Sequence, residues 1–260
     1  MRSGIFQSAG GGLTPEQRFD RLSAALLKTQ LDLVVCPELF LSGYNVGESI
    51  TELAEAFGGA LTGQLTEIAR HCGTAIVFGY PERDGNKIYN SAACIDSSGR
   101  LLANHRKLLL PPGFESQYFT SGGGLTLFEL NGIRCSILVC YDAEFPEAVR
   151  ASAEAGAQVV LVPTALVDNW GSVAYQMMPT RAFENGVWLL YANHAGQENG
   201  SCYLGASCIV APDGSDVVRA GDGEEVIAAE LDIERVTAAQ VRLPYLKDLQ
   251  RLRNVLASGP

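Results

Sequence analysis

The sequence predicts an α/β fold in which mixed parallel and antiparallel sheets are covered by helices. Helix-like and strand-like segments alternate along much of the chain, which indicates α/β crossovers. Three strand-like segments then follow one another, separated by the turns Asp84-Gly85-Asn86 and Ser97-Ser98-Gly99. Because crossovers and hairpins occur together, a purely parallel, doubly wound sheet is not expected.

Composition and charge limit the classes of protein to which the chain can belong. It has 260 residues, of which 47% are hydrophobic and 18% charged, and no linker-like stretch divides it. Residues 1–260 are therefore expected to form one domain. The formal net charge of −10 disfavours a nucleic-acid partner, since phosphates would be repelled. No apolar run approaches the roughly 18 residues of a membrane span, so no membrane partner is expected.

The cysteines and histidines indicate a reducing compartment and no metal site. The 7 cysteines contain no C-x-x-C pair, and the beginning of the chain lacks the apolar stretch of a secretory signal. We therefore expect free thiols and a cytoplasmic location. The 3 histidines include no pair at i,i+4, which disfavours a zinc or di-iron site.

The first half of the chain begins with a short strand at 4–7 and an amphipathic helix. Thr14 is a good N-cap for this helix, and Gln17 completes a capping box. Residues 31–36 are mostly apolar and include β-branched side chains, which predicts a short buried strand. The further elements expected in this half are a helical region to about residue 72 and strands at 74–80, 88–96 and 100–105.

The second half begins with a hairpin and continues as an alternation of helices and strands. The turn Asn131-Gly132 is a strong hairpin signal between strands at 125–130 and 133–140. The further elements expected are helices at 146–155 and 172–184 and strands at 157–162, 187–192, 203–210 and 226–231.

Cys140 carries the clearest chemical signal. A strand runs into it and a helix is expected to begin near Pro146, so Cys140 lies at a strand-to-helix turn. Such a turn exposes the thiol beside backbone N–H groups, and a nearby helix N-terminus would lower the pKa of the thiol. Most cysteines are inert core residues, so Cys140 needs a base to act as a nucleophile. The histidines lie in no protease-like pattern, which disfavours a Cys-His pair.

Two other ionisable residues occupy similar positions. Glu38 follows the apolar strand at 31–36, where a carboxylate is costly without a partner, and Lys107 precedes three leucines. Each can be an ordinary residue, as a solvated carboxylate or as a lysine whose stem covers apolar surface. Because strand ends gather at one rim of a layered α/β fold, we interpret Glu38, Lys107 and Cys140 as one set. The carboxylate would take the thiol proton, and the ammonium would stabilise an oxyanion.

Three segments resemble the signatures of the nitrilase superfamily of carbon–nitrogen hydrolases. They are Cys36-Pro37-Glu38-Leu39-Phe40, His105-Arg106-Lys107 and Cys140-Tyr141-Asp142-Ala143-Glu144-Phe145-Pro146-Glu147. The likeness covers nearly the whole chain, and it is strongest to bacterial aliphatic amidases of the 5-aminopentanamidase type. This resemblance implies an α-β-β-α sandwich and a homodimer or higher homo-oligomer. It also implies that a C-terminal tail, at about 242–260, takes part in dimer contacts.

The resemblance also implies roles for individual residues. Cys140 would attack an amide carbon and release ammonia to leave a thioester, with Glu38 as the base. Lys107 and the backbone N–H of Tyr141 would hold the oxyanion, and Glu115 matches a second glutamate that helps to position the substrate. No cofactor is implied, because acyl transfer through a thioester needs none.

Two residues of the last signature are interpreted as structural. Asp142 and Glu147 are expected to tie down the turn through arginine pairs.

The expected substrate is a small aliphatic primary amide, and the resemblance points to one that ends in an amine, such as 5-aminopentanamide. The substrate-binding residues are expected to be Tyr44, Tyr141, Asn169 and Trp170, with Asp168 as a counter-charge for the ammonium. Trp170 can equally pack against the core or a second subunit.

Other functions stay open at this point. A nitrilase or an N-carbamoyl amide hydrolase would use the same three reactive residues, and a non-catalytic binding protein could retain the fold. The presence of all three reactive residues disfavours the binding protein.

Overall fold

Two six-stranded sheets form the centre of the molecule in a computed structural model that describes residues 1–258. The last two residues of the expected domain and tail, Gly259 and Pro260, lie outside the described residues. The strands are β1 (Arg2–Gln7), β2 (Leu33–Val35), β3 (Ala75–Asp84), β4 (Lys87–Ile95), β5 (Leu101–Arg106), β6 (Thr126–Leu130), β7 (Ile133–Ile137), β8 (Val159–Pro163), β9 (Trp188–Ala192), β10 (Ala195–Glu198), β11 (Ser201–Leu204), β12 (Cys208–Val210), β13 (Asp216–Arg219) and β14 (Glu225–Glu230).

The two sheets share one pattern of strand directions. The first has the order β14-β1-β2-β3-β4-β5, and the second has the order β6-β7-β8-β9-β12-β13. In each sheet the second, third and fourth strands are parallel, and the outer pairings are antiparallel. The expectation of mixed sheets is confirmed.

The helices are α1 (Pro15–Thr29), α2 (Ser49–Leu53), α3 (Ala60–Cys72), α4 (Phe114–Tyr118), α5 (Tyr141–Glu144), α6 (Pro146–Glu154), α7 (Met178–Asn185), α8 (Glu234–Arg242) and α9 (Tyr245–Ala257). Helices α1 and α3 cover the outer face of the first sheet, and α6 and α7 cover that of the second. None of the helices within residues 1–258 combines the length and the apolarity that crossing a bilayer requires.

The buried apolar residues form layers that match this arrangement. One cluster, which includes Val35, Val77, Ile137 and Leu161, lies between the two sheets. A second packs α1 and α3 on the first sheet, and a third packs α6 and α7 on the second. Alternate side chains of a strand point to opposite faces, so the central strands feed two layers and are apolar throughout. The expected α-β-β-α sandwich is confirmed.

Local sequence signals explain several boundaries. Thr14 caps α1, and its side chain and that of Gln17 exchange the two hydrogen bonds of a capping box. Asn131 and Gly132 both have positive φ, at 52° and 76°, as the two-residue turn between β6 and β7 requires.

The strand expected at 203–210 is wrong, because two separate strands occupy that region. Gly205 and Ala206 have φ values of 67° and 52°, which break an extended chain. As a result β11 pairs only with β10 in a small hairpin, while β12 joins the second sheet. The helix expected at 172–184 begins as a π-helical turn, Val173–Met177, before α7.

Candidate active site

Cys140 lies at a tight turn between β7 and α5. Its φ of 47° and ψ of −106° are sparsely populated by residues other than glycine, so the surrounding structure holds the turn in place. The Cys140 N–H donates to the carbonyl of Pro163 at the end of β8, at 2.9 Å. The residue is partly exposed. This is the geometry of a nucleophile elbow, as the sequence predicts.

Asp142 fastens the turn to the segment that carries Lys107. Its buried carboxylate accepts hydrogen bonds from the N–H groups of Leu108 and Leu109, at 3.1 and 3.0 Å, and from that of Val139 at 3.2 Å. The ring of His105 also lies 3.3 Å from this carboxylate. A carboxylate that satisfies several backbone donors rigidifies both segments at once.

The expected arginine pairs of Asp142 and Glu147 are wrong. Asp142 is committed to backbone donors, and Glu147 is exposed at the beginning of α6. An arginine does hold the turn, but through carbonyl groups: Arg181 donates to Ala143 at 3.3 Å and to Glu144 at 2.6 Å.

Four buried side chains form a hydrogen-bonded cluster beside the turn. Lys107 follows β5, and its ammonium donates to Glu38 at 2.7 Å and to Glu115 at 2.6 Å. The amide of Asn90, on β4, donates to the same two carboxylates at 2.7 and 3.0 Å. Buried charges are costly unless they are paired and hydrogen-bonded, and this cluster supplies both conditions.

The two carboxylates of the cluster differ in how many donors they hold. Glu115 uses both oxygens, because Oε1 accepts from Lys107 and from the hydroxyl of Tyr44 at 2.7 Å while Oε2 accepts from Asn90. Glu38 accepts only at Oε1, and its buried Oε2 has no partner within residues 1–258. Glu38 Oε2 is therefore the carboxylate oxygen that is free to take a proton.

Burial and neighbouring charges adjust the protonation of the cluster. Burial raises the pKa of Glu38 to about 7; Lys107 opposes this increase and Glu115 adds to it. Burial alone would lower the pKa of Lys107, but the nearby carboxylates raise it above its ordinary value. Lys107 is therefore a permanent cation, and Glu38 is a carboxylate that exchanges protons near neutral pH.

The expectation of a lowered thiol pKa is wrong. Burial raises the pKa of Cys140, the Glu38 carboxylate raises it further, and Lys107 only partly opposes them. Helix α5 has four residues, so its dipole is weak against these effects. With its pKa raised in this way, the thiol would need a base in order to act as a nucleophile.

The backbone of Glu38 is held by residues that the sequence did not single out. His194 donates from Nε2 to the Glu38 carbonyl at 2.7 Å, and burial lowers the pKa of His194 to about 3, so the ring is neutral. The Glu38 N–H donates to the carbonyl of Thr164 at 3.3 Å. Gly79 is required on the other side, because a Cβ there would lie 2.7 Å from the Glu38 Cα.

A cavity of about 440 Å³ opens above the thiol. Apolar and aromatic groups form much of its wall, and Cys140, Glu115 and Glu144 contribute polar groups. Three of the expected substrate-binding residues contribute to the lining: Tyr44, Tyr141 and Trp170.

Asn169 and Asp168 lie outside this lining, so the structure does not support them as binding residues. Both are exposed in a single 3-10 turn, Asp168–Trp170, which brings only Trp170 to the cavity. Adjacent side chains in a turn point in different directions, so their closeness along the chain does not tell which of them faces the cavity. Two carboxylates do lie in the wall: Glu115, which belongs to the hydrogen-bonded cluster, and Glu144, within the quoted signature.

The arrangement fits acyl transfer to a thiol. The Cys140 thiol lines the cavity, and the charges of Glu38, whose Oε2 has no partner, and of Lys107 both act on that thiol. The N–H of Tyr141 at the beginning of α5 has no acceptor among the residues that the structure describes. Throughout residues 1–258 no group of three or more His, Cys, Asp or Glu side chains is arranged to hold a metal ion.

Comparison with known proteins gives one consistent family. The sequence model of the carbon-nitrogen hydrolase family matches residues 16–241. The chain is 41% identical to the "hydrolase in pqqF 5'region" of Pseudomonas protegens, over 95% of this chain and 88% of that protein. It is 34% identical to an (R)-stereoselective amidase of a Pseudomonas species, over 88% and 81%.

Solved structures agree with this result. A variant of the Nesterenkonia AN1 amidase from the nitrilase superfamily superposes with a TM-score of 0.87 at 33% identity, covering 98% of this chain and 96% of that one. Another structure of that amidase, with the same TM-score, identity and coverage, carries the acetamide moiety of fluoroacetamide covalently at its active-site cysteine.

Proposed function

The chain belongs to the carbon-nitrogen hydrolase family of the nitrilase superfamily, and from this premise we propose that it hydrolyses a small aliphatic primary amide to a carboxylate and ammonia. Cys140 is the nucleophile, Glu38 the general base and Lys107 the cation that stabilises the oxyanion. Glu115 and Asn90 fix the positions of the base and the cation through hydrogen bonds.

In the first half of the reaction the thiol adds to the amide carbon. Glu38 Oε2 takes the Cys140 proton as the C–S bond forms, and the carbonyl electron pair moves to oxygen. An ammonium has three N–H groups, and Lys107 uses two of them on Glu38 and Glu115, so the third is available to the oxyanion together with the Tyr141 N–H. The protonated Glu38 then gives its proton to the leaving nitrogen, ammonia departs and a thioester remains.

In the second half a water molecule replaces ammonia. Glu38 takes a proton from the water as the oxygen attacks the thioester carbon, and the same donors hold the second oxyanion. Collapse breaks the C–S bond and the proton held by Glu38 passes to the sulfur of Cys140, which restores the thiol. The product leaves as the carboxylic acid and loses its remaining proton to solvent to give the carboxylate.

The unpartnered, buried Oε2 of Glu38 is the observation that best supports this proposal. A panel of linear amides, matching nitriles and N-carbamoyl compounds tests it by ammonia release. We expect turnover of the primary amides and little or none of the nitriles. Comparable specific activity on a nitrile and its amide would favour the nitrilase alternative, and no turnover of any class would favour a non-catalytic binding protein.

For the substrate itself, we propose an amide that ends in an amine, of the 5-aminopentanamide kind. Support comes from the sequence likeness and from the aromatic wall formed by Tyr44, Tyr141 and Trp170, which suits an alkyl chain and a cation. Hexanamide is a matched control, because a methyl group replaces the ammonium. Equal or better turnover of hexanamide would indicate a general aliphatic amidase.

We also propose that the protein is a homodimer with its C-terminal tail, described to residue 258, in the interface. Exposed apolar side chains on α9, among them Val255 at 69% and Leu256 at 71% exposure, support this. Light scattering during size-exclusion chromatography should give the dimer mass, and a double Val255→Glu/Leu256→Glu variant should shift it to the monomer. A monomeric unmodified protein would contradict the proposal.

A cytoplasmic location is proposed on the cysteines. All seven, including the exposed Cys202, are free thiols in the structure. Thiols persist in this state in a reducing compartment.

A further inference from the structure

Glu144 is a charged residue of the cavity wall to which the proposed mechanism gives no role. It is the last residue of α5, three positions after Tyr141, so the two side chains lie on one face of the helix. At about 1.5 Å of rise per residue, Glu144 begins only about 4.5 Å further along the helix than the proposed oxyanion donor. The residue is partly buried and lines the same cavity as Cys140.

The Glu144 carboxylate lacks a partner within the part of the chain that the structure describes. It accepts no hydrogen bond there and forms no ion pair within 4.0 Å, whereas the two cations whose charges act on it are committed elsewhere. Lys107 donates to Glu38 and Glu115. Arg181 donates to the Glu144 carbonyl and pairs with Glu184 at 3.1 Å.

The charge around the cavity is consequently unbalanced toward negative. Among the residues that line it, Glu115 and Glu144 carry carboxyl groups and none carries a cation, and Glu115 is already paired with Lys107. Burial raises the pKa of Glu144, and the charges of Lys107 and Arg181 oppose this increase. A cation that enters the cavity would therefore stabilise the ionised form of Glu144. A half-buried carboxylate without a partner is costly in the free protein, which indicates that a ligand supplies the partner.

We propose that Glu144 selects the charge at the far end of the substrate. It accepts a hydrogen bond from the ammonium of an amide whose chain ends in an amine, and it repels an amide whose chain ends in a carboxylate. The face of Trp170 or Tyr44 supplies a second contact to the cation. This inference rests on the proposed amidase function and replaces Asp168 as the counter-charge.

Binding measurements test this role without depending on turnover. In a Cys140→Ala background, calorimetry would compare 5-aminopentanamide, hexanamide and glutaramate, which differ mainly in their terminal charge. We expect the order cation, neutral, anion in falling affinity. Glu144→Gln should reduce the preference for 5-aminopentanamide over hexanamide by about tenfold, the effect of one charge-assisted hydrogen bond. Glu144→Lys should reverse the order of glutaramate and 5-aminopentanamide.

Two matched variants control the experiment. Glu147→Gln makes the same chemical change on an exposed residue outside the cavity, and Asp168→Asn removes the other candidate counter-charge. Both should keep the preference for the cationic amide. The proposal is overturned if the preference is unchanged in both Glu144 variants, or if Asp168→Asn alone removes it.

The outcome is separable from that of the proposed function. If the unmodified enzyme releases no ammonia from any amide, the amidase assignment fails, while the binding order still decides the role of Glu144. If amides are hydrolysed but terminal charge has no effect on binding, the amidase assignment stands, while the role of Glu144 and the preference for an amine-ended amide fail.

Discussion

Replacing Glu38 by glutamine should remove the base and leave its surroundings in place. The oxygen of the new amide can keep the hydrogen bonds from Lys107 and Asn90, because both donate to the same oxygen, Oε1. The NH2 group then occupies the position of Oε2, where no donor stands opposite it among residues 1–258. The substitution therefore isolates proton transfer, and we expect kcat/KM to fall by about 10²–10⁴-fold, or roughly 3–5 kcal/mol of activation free energy.

The matched substitution Glu115→Gln should behave differently. Both oxygens of Glu115 accept hydrogen bonds, so the new NH2 group must face either Asn90 or the Lys107–Tyr44 pair. Losing one charge-assisted hydrogen bond costs about 1.5–3 kcal/mol, which corresponds to about 10- to 100-fold in acylation. The proton acceptor at Glu38 stays intact, and the thiol should keep its reactivity.

Alkylation of the thiol by iodoacetamide as a function of pH separates the two roles. Because the base must be ionised, and the pKa of Glu38 is about 7, the rate should rise as the pH increases through about 7 in the unmodified enzyme. This rise in the alkylation rate should persist in Glu115→Gln and disappear in Glu38→Gln. In Glu38→Gln the thiol should react only at higher pH, because burial raises the pKa of Cys140. Equal loss of alkylation in both variants would refute the assignment of the base to Glu38 alone.

Three further outcomes follow from the same geometry. Cys140→Ala should abolish ammonia release without changing the circular dichroism spectrum, whereas Cys202→Ser, at an exposed thiol, should stay active; activity in the first would disprove the nucleophile. Asp142→Asn leaves at least one buried N–H without its acceptor and should lower Tm by about 5 °C, measured by calorimetry. Gly79→Ala should displace the Glu38 backbone and lower kcat with little change in KM. An unaffected kcat would show that the backbone accommodates the added methyl group without moving Glu38.

The three residues proposed to react could be found from the sequence because each follows a strand. Glu38 follows β2, Lys107 follows β5 and Cys140 follows β7, so a general rule about strand ends places them at one rim. Asn90 lies in the middle of β4, and only the pairing of β4 with β3 and β5 brings its amide to the two carboxylates. The sequence carries only a weak signal for Asn90. Asparagine is uncommon in strands, and Ile88 and Ala92, two positions away on the same strand face, are apolar.

The properties that depend on burial were the least predictable. A helix beginning beside Cys140 suggests a lowered pKa, but sequence alone gives neither the four-residue length of α5 nor the burial that raises the pKa instead. Similarly, Asp168, Asn169 and Trp170 are neighbours along the chain, yet only Trp170 reaches the cavity. Glu144 lies inside one of the quoted signatures, but that it lines the cavity could be seen only in the folded structure.

The site is built across the seam between the two sheets. Glu38 and Lys107 come from the first sheet and Cys140 from the second, and the hydrogen bonds that join them cross the seam: the Glu38 N–H to Thr164, and the Leu108 N–H to Asp142. The main chain of Glu38 is held from both sheets: Gly79 of β3 approaches it closely, and Thr164 and His194, which follow β8 and β9, form hydrogen bonds with it. The proposed base and nucleophile therefore come together only when the two sheets pack against each other. The contacts between the sheets are thus also those that position the groups for proton transfer.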